Sequence, residues 1–272
     1  MAPRTRSLIL YDSPVARDIF ENILKELATA SQFKELIYEN IGDHDWLLLS
    51  ESLASHSEVE RRHPRINYNS HTHVLRIKIM LTELHDVHQR WVVNAIGRWA
   101  LTGLTNLQEN ELIGFGVGTT FKGFTGLYQS SEKEPDLFLR PDTTAFPTVV
   151  IESGWSESFP YLRRDKDLWM QGCSTVNVVI LLKWSKLSGN RVKGTAEIWT
   201  RDTAGNLQSR EMQIFPSPNT PGNENIELTK GQLFGQLILP FQNAADILPL
   251  DVGILRNFAT EVATNLMNLQ PI

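Results

Sequence analysis

Two carboxylates in the middle of the chain stand beside strand-like segments. Asp136 precedes Leu137-Phe138-Leu139, and Glu152 follows Thr148-Val149-Val150-Ile151. Carboxylates offered by neighbouring strands form a hard oxygen site suited to Mg²⁺ or Mn²⁺. A second apolar run, Val176 to Leu182, ends in Lys183, and the charged amphipathic segment before it carries Lys166. An ammonium beside such a pair stabilises the charge that develops on a phosphate during its cleavage. The constellation points to metal-dependent hydrolysis of a phosphodiester. The same spacing also suits two solvated carboxylates, one after a turn and one at a strand end, and a lysine closing a strand is usually just solvated.

Positioning this set requires two strands joined by a loop containing Pro141 and Pro147, then a helix, then a third strand ending at Lys183. Elsewhere, Ser13-Pro14 is an N-cap followed by proline in the first turn of a helix over 14–30, with Val15, Ile19, Ile23 and Leu27 on its apolar face. Trp46 to Leu49 has the look of a buried strand, and 54–71 of an exposed connection. Alternation over 73–80 predicts a half-buried strand. Leu84, Val87, Trp91, Ala95 and Trp99 predict a helix over 82–102 that packs on the sheet. The glycine-rich stretch 114–126 lacks a following helix or a Lys-Ser/Thr ending, so it predicts glycine-bearing strands rather than a nucleotide loop. A hairpin over 192–215, a last strand at 233–239 and a C-terminal helix after Pro249-Leu250-Asp251 complete the chain. The expected fold class is α/β (α+β), one domain over 1–272 with a central mixed sheet flanked by helices.

Composition narrows the function classes. Hydrophobic content of 41% and charged content of 21% support a packed core and exclude wholesale disorder. The net charge of −5 argues against a chain that is basic throughout, though a local basic groove that includes Arg163 to Lys166 remains compatible with it. A single cysteine, Cys173, excludes internal disulfides and Cys-based zinc clusters. The short apolar stretch at 8–11 and the lack of any membrane-length run predict an intracellular protein, of cytoplasm or nucleus, neither secreted nor membrane-spanning. All seven histidines fall between His44 and His88. His71 with His73, or His85 with His88, could ligate zinc, but scattered core or surface histidines satisfy the pattern as well. Gly154-Trp155-Ser156-Glu157-Ser158 lacks the last glycine of a nucleophile elbow, and no histidine follows it to complete a triad.

The segment over 73–184 resembles the PD-(D/E)XK nuclease superfamily, the restriction-endonuclease-like fold, and most of all its compact branch of restriction-endonuclease-type members. Pro135-Asp136 matches the first motif, and Val150-Ile151-Glu152 matches the strand bearing the second acid. Ser156, Ser158, Asp165, Trp169, Gly172 and Val178 to Leu182 match the turn, helix and strand that follow, while Glu83-Leu84-His85 opens a helix like the first of that fold. The resemblance implies a nuclease-like core over 73–184, an N-terminal extension over 1–72, and C-terminal strands and helix over 185–272. It also implies Mg²⁺ (or Mn²⁺) on Asp136 and Glu152, and nucleic acid, DNA first, as partner, with a homodimer compatible. One departure stands out: the pattern's lysine, two residues after the second acid, is Gly154 here. Lys183, or after it Lys166, is the expected replacement. The alternative is a catalytically degenerate relative that binds nucleic acid or protein.

Overall fold

The computed structural model describes residues 13–79, 82–155, 159–202, 204–218 and 224–272. The chain divides into two compact units, one of Met1–Thr82 with Thr120–Glu134, the other of Glu83–Thr119 with Pro135–Ile272. Both are α+β.

Unit 1 begins with α1 (Pro14–Thr29), capped as its sequence requires by the Ser13 hydroxyl, which accepts from the Ala16 N–H at 3.1 Å. Then come β1 (Lys34–Tyr38), α2 (Asp43–Ala54), α3 (Ser57–Arg62), β2 (Arg65–Asn69) and β3 (Val74–Ile79). The strands form an antiparallel sheet in the order β1-β3-β2. Trp46 to Leu49 is helical, not a strand, because Trp46, Leu49 and Leu53 share one buried helical face. The supposed exposed connection contains α3 and β2, whose Val59 and Tyr68 join the core under α1 and α2. β3 was expected to be half-buried and to open the nuclease-like core. It is buried along both faces and is the central strand of unit 1. One face packs Leu75, Ile77 and Ile79 on the helices, and the other buries Arg76 against Glu35 at 2.5 Å. Residues 120–134 pair with this sheet at Tyr68 and Glu132, and Arg65 meets Glu134 at 3.4 Å.

Unit 2 holds α4 (Glu83–Leu101), α5 (Leu107–Leu112), β4 (Ile113–Gly116), β5 (Leu137–Pro141), β6 (Val149–Trp155), α6 (Phe159–Gly172), β7 (Val178–Leu187), β8 (Arg191–Arg201), β9 (Leu207–Phe215), β10 (Asn225–Thr229), α7 (Lys230–Phe234), β11 (Ile247–Asp251), α8 (Val252–Met267) and β12 (Gln270–Pro271). Its mixed sheet runs β12-β8-β7-β6-β5-β4, with β9 also on β8. β6 and β7 are parallel, joined by α6, while β5–β6 and β7–β8 are antiparallel. Of the glycine-rich stretch only β4 is a named strand. The last strand expected at 233–239 is instead the end of α7 and a 3-10 turn, since Thr229 and Gln232 form a capping box that starts a helix.

Strand alternation gives the sheet two apolar faces. Ile151, Ile180 and Leu182 join Leu84, Val87, Trp91, Ala95 and Trp99 of α4, and Leu255 and Ala259 of α8, in one core. Both α4 tryptophans are 1% exposed, and their indoles donate to the Asp251 and Pro249 carbonyls. The opposite face, with Val150, Val179 and Leu181, takes the buried Leu162, Leu168 and Trp169 of α6.

Candidate functional site

The site sits where β5, β6 and β7 run side by side. Leu137 pairs with Ile151 and Phe138 with Val150, so this register carried one residue further sets position 136 opposite 152. Asp136 does not follow the strand's alternation. Its Oδ2 accepts the Ser153 N–H at 2.6 Å, within the sheet, and lies 3.4 Å from Nε2 of His85 on α4. Glu152 points to the other side, where Oε1 accepts the indole N–H of Trp169 on α6 at 2.8 Å. Between them, the Ser153 hydroxyl accepts from Trp184 Nε1 at 3.2 Å. Each carboxylate therefore has an orienting clamp of its own, and both are fully buried.

The parallel register of β6 and β7 places Gly154 directly beside Lys183. Since residues two apart share a face, Lys183 stands on the Glu152 side of the sheet, one strand over from the place of the missing lysine. It is half-buried, with Nζ 4.4 Å from the centroid of the Phe159 ring at the start of α6. Lys166 is engaged elsewhere. It pairs with Asp167, and its Nζ lies 4.0 Å from the ring of Trp199, on β8, two strands from Glu152. Thus the structure sets Asp136 just ahead of β5, Glu152 within β6 and Lys183 within β7, three adjacent strands, and it holds Lys166 over a different one.

Two histidines complete the surroundings. His85 is bracketed by Asp86, 3.1 Å from Nδ1, and Asp136. His88 Nε2 is 3.2 Å from the Asp136 carbonyl, while its Nδ1 has no partner. Burial pushes the His88 imidazole down to about 4, and the Asp136 charge offsets this only in part. Neutral at physiological pH, His88 fills space and holds the β5 backbone. The sequence singled the pair out by its i, i+3 spacing as able to ligate zinc but favoured scattered core or surface histidines, and both are buried in the core. The roles of Ser153 and Trp184 left no sequence signal, since each follows from strand register, while Trp169 was marked only as a match to the helix of the resembled fold.

Hard carboxylate oxygens suit Mg²⁺ or Mn²⁺ by donor type, and Mg²⁺ keeps waters and substrate oxygens in the rest of its shell. Among the described residues no group of three or more His, Cys, Asp or Glu could hold a metal ion by itself, so two carboxylates are what the protein would contribute. The donor types fit such an ion, but Asp136 is turned toward α4 and Glu152 toward α6, and both acids are fully buried, so the site must rearrange and open before one ion, water or substrate enters. Ser156 and Ser158, which the resemblance placed in the turn after β6, lie outside the described residues. Among those described, no helix is long and apolar enough to cross a membrane. No family model matches the sequence, and no curated protein or solved structure matches it either.

Proposed function

We propose that unit 2 is a divalent-metal-dependent nuclease of the restriction-endonuclease-like kind, hydrolysing phosphodiesters of DNA or RNA in an intracellular setting. The observation that carries this reading is the register of Lys183 beside Gly154, on the Glu152 face and next to the strand pair bearing both acids. Asp136 and Glu152 would hold Mg²⁺ or Mn²⁺, which when bound polarises the phosphate and lowers the pKa of water. In the closed site the Ser153 N–H and His85 orient Asp136 and the Trp169 indole orients Glu152, on opposite sides of the sheet, so holding one ion would require the two carboxylates to turn toward each other. Lys183 offsets charge on the phosphate by exchanging the Phe159 ring for a phosphate oxygen, a stronger partner for an ammonium.

A second reading, a degenerate nuclease-like protein that binds without cutting, is favoured by the full burial of both acids and by Gly154. Purified protein incubated with plasmid and with single-stranded DNA, with Mg²⁺, Mn²⁺ or EDTA, separates the two. The nuclease reading expects cleavage that requires the metal and is abolished in Glu152→Gln, with the melting transition kept. Intact substrate under every metal condition overturns it.

A further inference from the structure

On the α6 side of the unit 2 sheet, cations occupy four successive rungs. Arg191 stands opposite Leu187, Lys193 opposite Ser185, and Lys183 opposite Thr195. The next rung pairs Leu181 with Glu197, where Arg163 of α6 bonds the Glu197 carboxylate at 2.8 Å. That contact, with Lys166 over Trp199, places these odd-numbered β8 residues on the α6 side. The same rung continues through Leu181 to Glu152. Arg191, Lys193 and Arg163 are exposed and Lys183 is half-buried. At about 3.3 Å per residue, neighbouring rungs are roughly 7 Å apart, so the stripe spans roughly 20 Å and ends at the rung of the candidate site.

The opposing charges on this face are mostly buried or engaged: Glu152 and the Asp165 of α6 are buried, and Asp167 bonds Lys166. Glu197 is buried and already bonded to Arg163, and the exposed Glu211 lies beyond it on β9. A chain of net charge −5 thus carries a local row of cations. One aromatic ring, Phe159, adjoins the row. Phe159 carries Lys183 and Arg163 at 4.4 and 4.9 Å from its centroid, and Tyr161 carries Arg164 at 5.2 Å. Both rings are half-buried at the start of α6.

We infer that this stripe is a track for one strand of single-stranded nucleic acid, delivering its backbone to the Glu152 rung. The inference rests on the nuclease reading of that rung for its purpose, but its chemistry is separate. A single row of cations on an open sheet face can follow one phosphate backbone, whereas a duplex presents two backbones with charge every ~1.7 Å of axis. The Phe159 ring and the guanidinium planes next to the row suit stacking of unpaired bases, which is tolerant of sequence.

The test is fluorescence anisotropy of the full chain with labelled dT20 and with a duplex of equal length, in EDTA, across a salt series. The expected result is tighter binding of dT20 than of the duplex. Arg191→Ala with Lys193→Ala, both exposed, should weaken dT20 binding about tenfold and make the log–log salt slope shallower by about 1.4, from ~0.7 per phosphate contact on a single strand. Phe159→Ala should weaken it about fivefold or more through lost stacking. Equal or tighter duplex binding, or an unchanged slope in a double variant with a normal melting transition, overturns the track. Because EDTA prevents cleavage, a protein that binds dT20 and never cuts overturns only the nuclease reading. One that cuts duplex and ignores dT20 overturns only the track.

Discussion

Two buried glutamates of unit 2 are treated in opposite ways. Glu109, in α5, accepts the Lys230 ammonium at 2.5 Å, the Gln242 amide at 2.8 Å, and the Asn106 N–H of its own capping box at 2.7 Å. Burial raises its pKa, but Lys230 and the other donors outweigh burial and hold the carboxyl below the usual range. Glu152 is clamped by the Trp169 indole, while Lys183, the cation beside it in register, rests on the Phe159 ring. Unit 1 follows the Glu109 pattern, with Arg76 on Glu35 and Arg65 on Glu134. Where acid and base are paired with each other, the charges are scaffold. At the candidate site a ring, not a carboxylate, carries the Lys183 ammonium, and a phosphate oxygen can displace that ring.

Breaking the matched pair is expected to have the largest effect. Lys230→Met leaves Glu109 buried beside a neutral side chain and should destabilise the protein by about 3 kcal/mol or more, read by urea denaturation. A loss below ~1 kcal/mol would erase the contrast with Glu152.

Acid titration comes next. Unfolded histidine takes its proton near 6.5, whereas folded His88 takes it near 4, so the unfolded state binds the proton first as pH falls. The His88 contribution is complete above pH 6.5 and should be lost progressively down to pH 4, by about 3 kcal/mol. Replacing His88 with Gln should flatten that part of the profile relative to the unchanged protein. Parallel profiles would show that the ring titrates normally.

A smaller change tests the neutral clamp. Trp169→Phe keeps the packing but leaves Glu152 Oε1 without its indole donor, which should cost about 1–3 kcal/mol. The same variant should cut more slowly at saturating Mg²⁺, because the acid is no longer held in place. Unchanged stability and rate would mean that the indole does not orient Glu152.

The finest comparison is between the two lysines. Lys183→Ala should lower cleavage about tenfold or more, as loss of a charge-stabilising group does. Lys166→Ala should lower it less, since Lys166 is occupied by Asp167 and Trp199. Equal rates for the two variants would remove Lys183 from its role.

Local patterns in the chain foretold α1, α4, the β8–β9 hairpin and α8, because each rests on an amphipathic period, a cap or a turn that needs no distant partner. Where burial depended on distant partners, the patterns misled. Arg76 and Lys78 gave β3 the alternation of a half-buried strand, yet both are buried, Arg76 against Glu35. Trp46 to Leu49 was a short apolar run whose period cannot separate strand from helix, and packing under α1 decided for helix.

For the candidate site, the sequence by itself determined the residue types: two acids beside strand segments, a lysine after the next apolar run, and glycine where the usual lysine would stand. The strand ends it implied were wrong, since Glu152 lies inside β6 and Lys183 inside β7. Tertiary structure alone decided which of them meet. Only the parallel pairing of β6 with β7 puts Lys183, and not Lys166, beside Gly154. Only the packing of α4 and α6 on opposite faces gives Asp136 and Glu152 separate clamps. Register is a long-range property, set by which apolar faces are buried together, and a one-residue slip would have sent every one of these side chains to the other face.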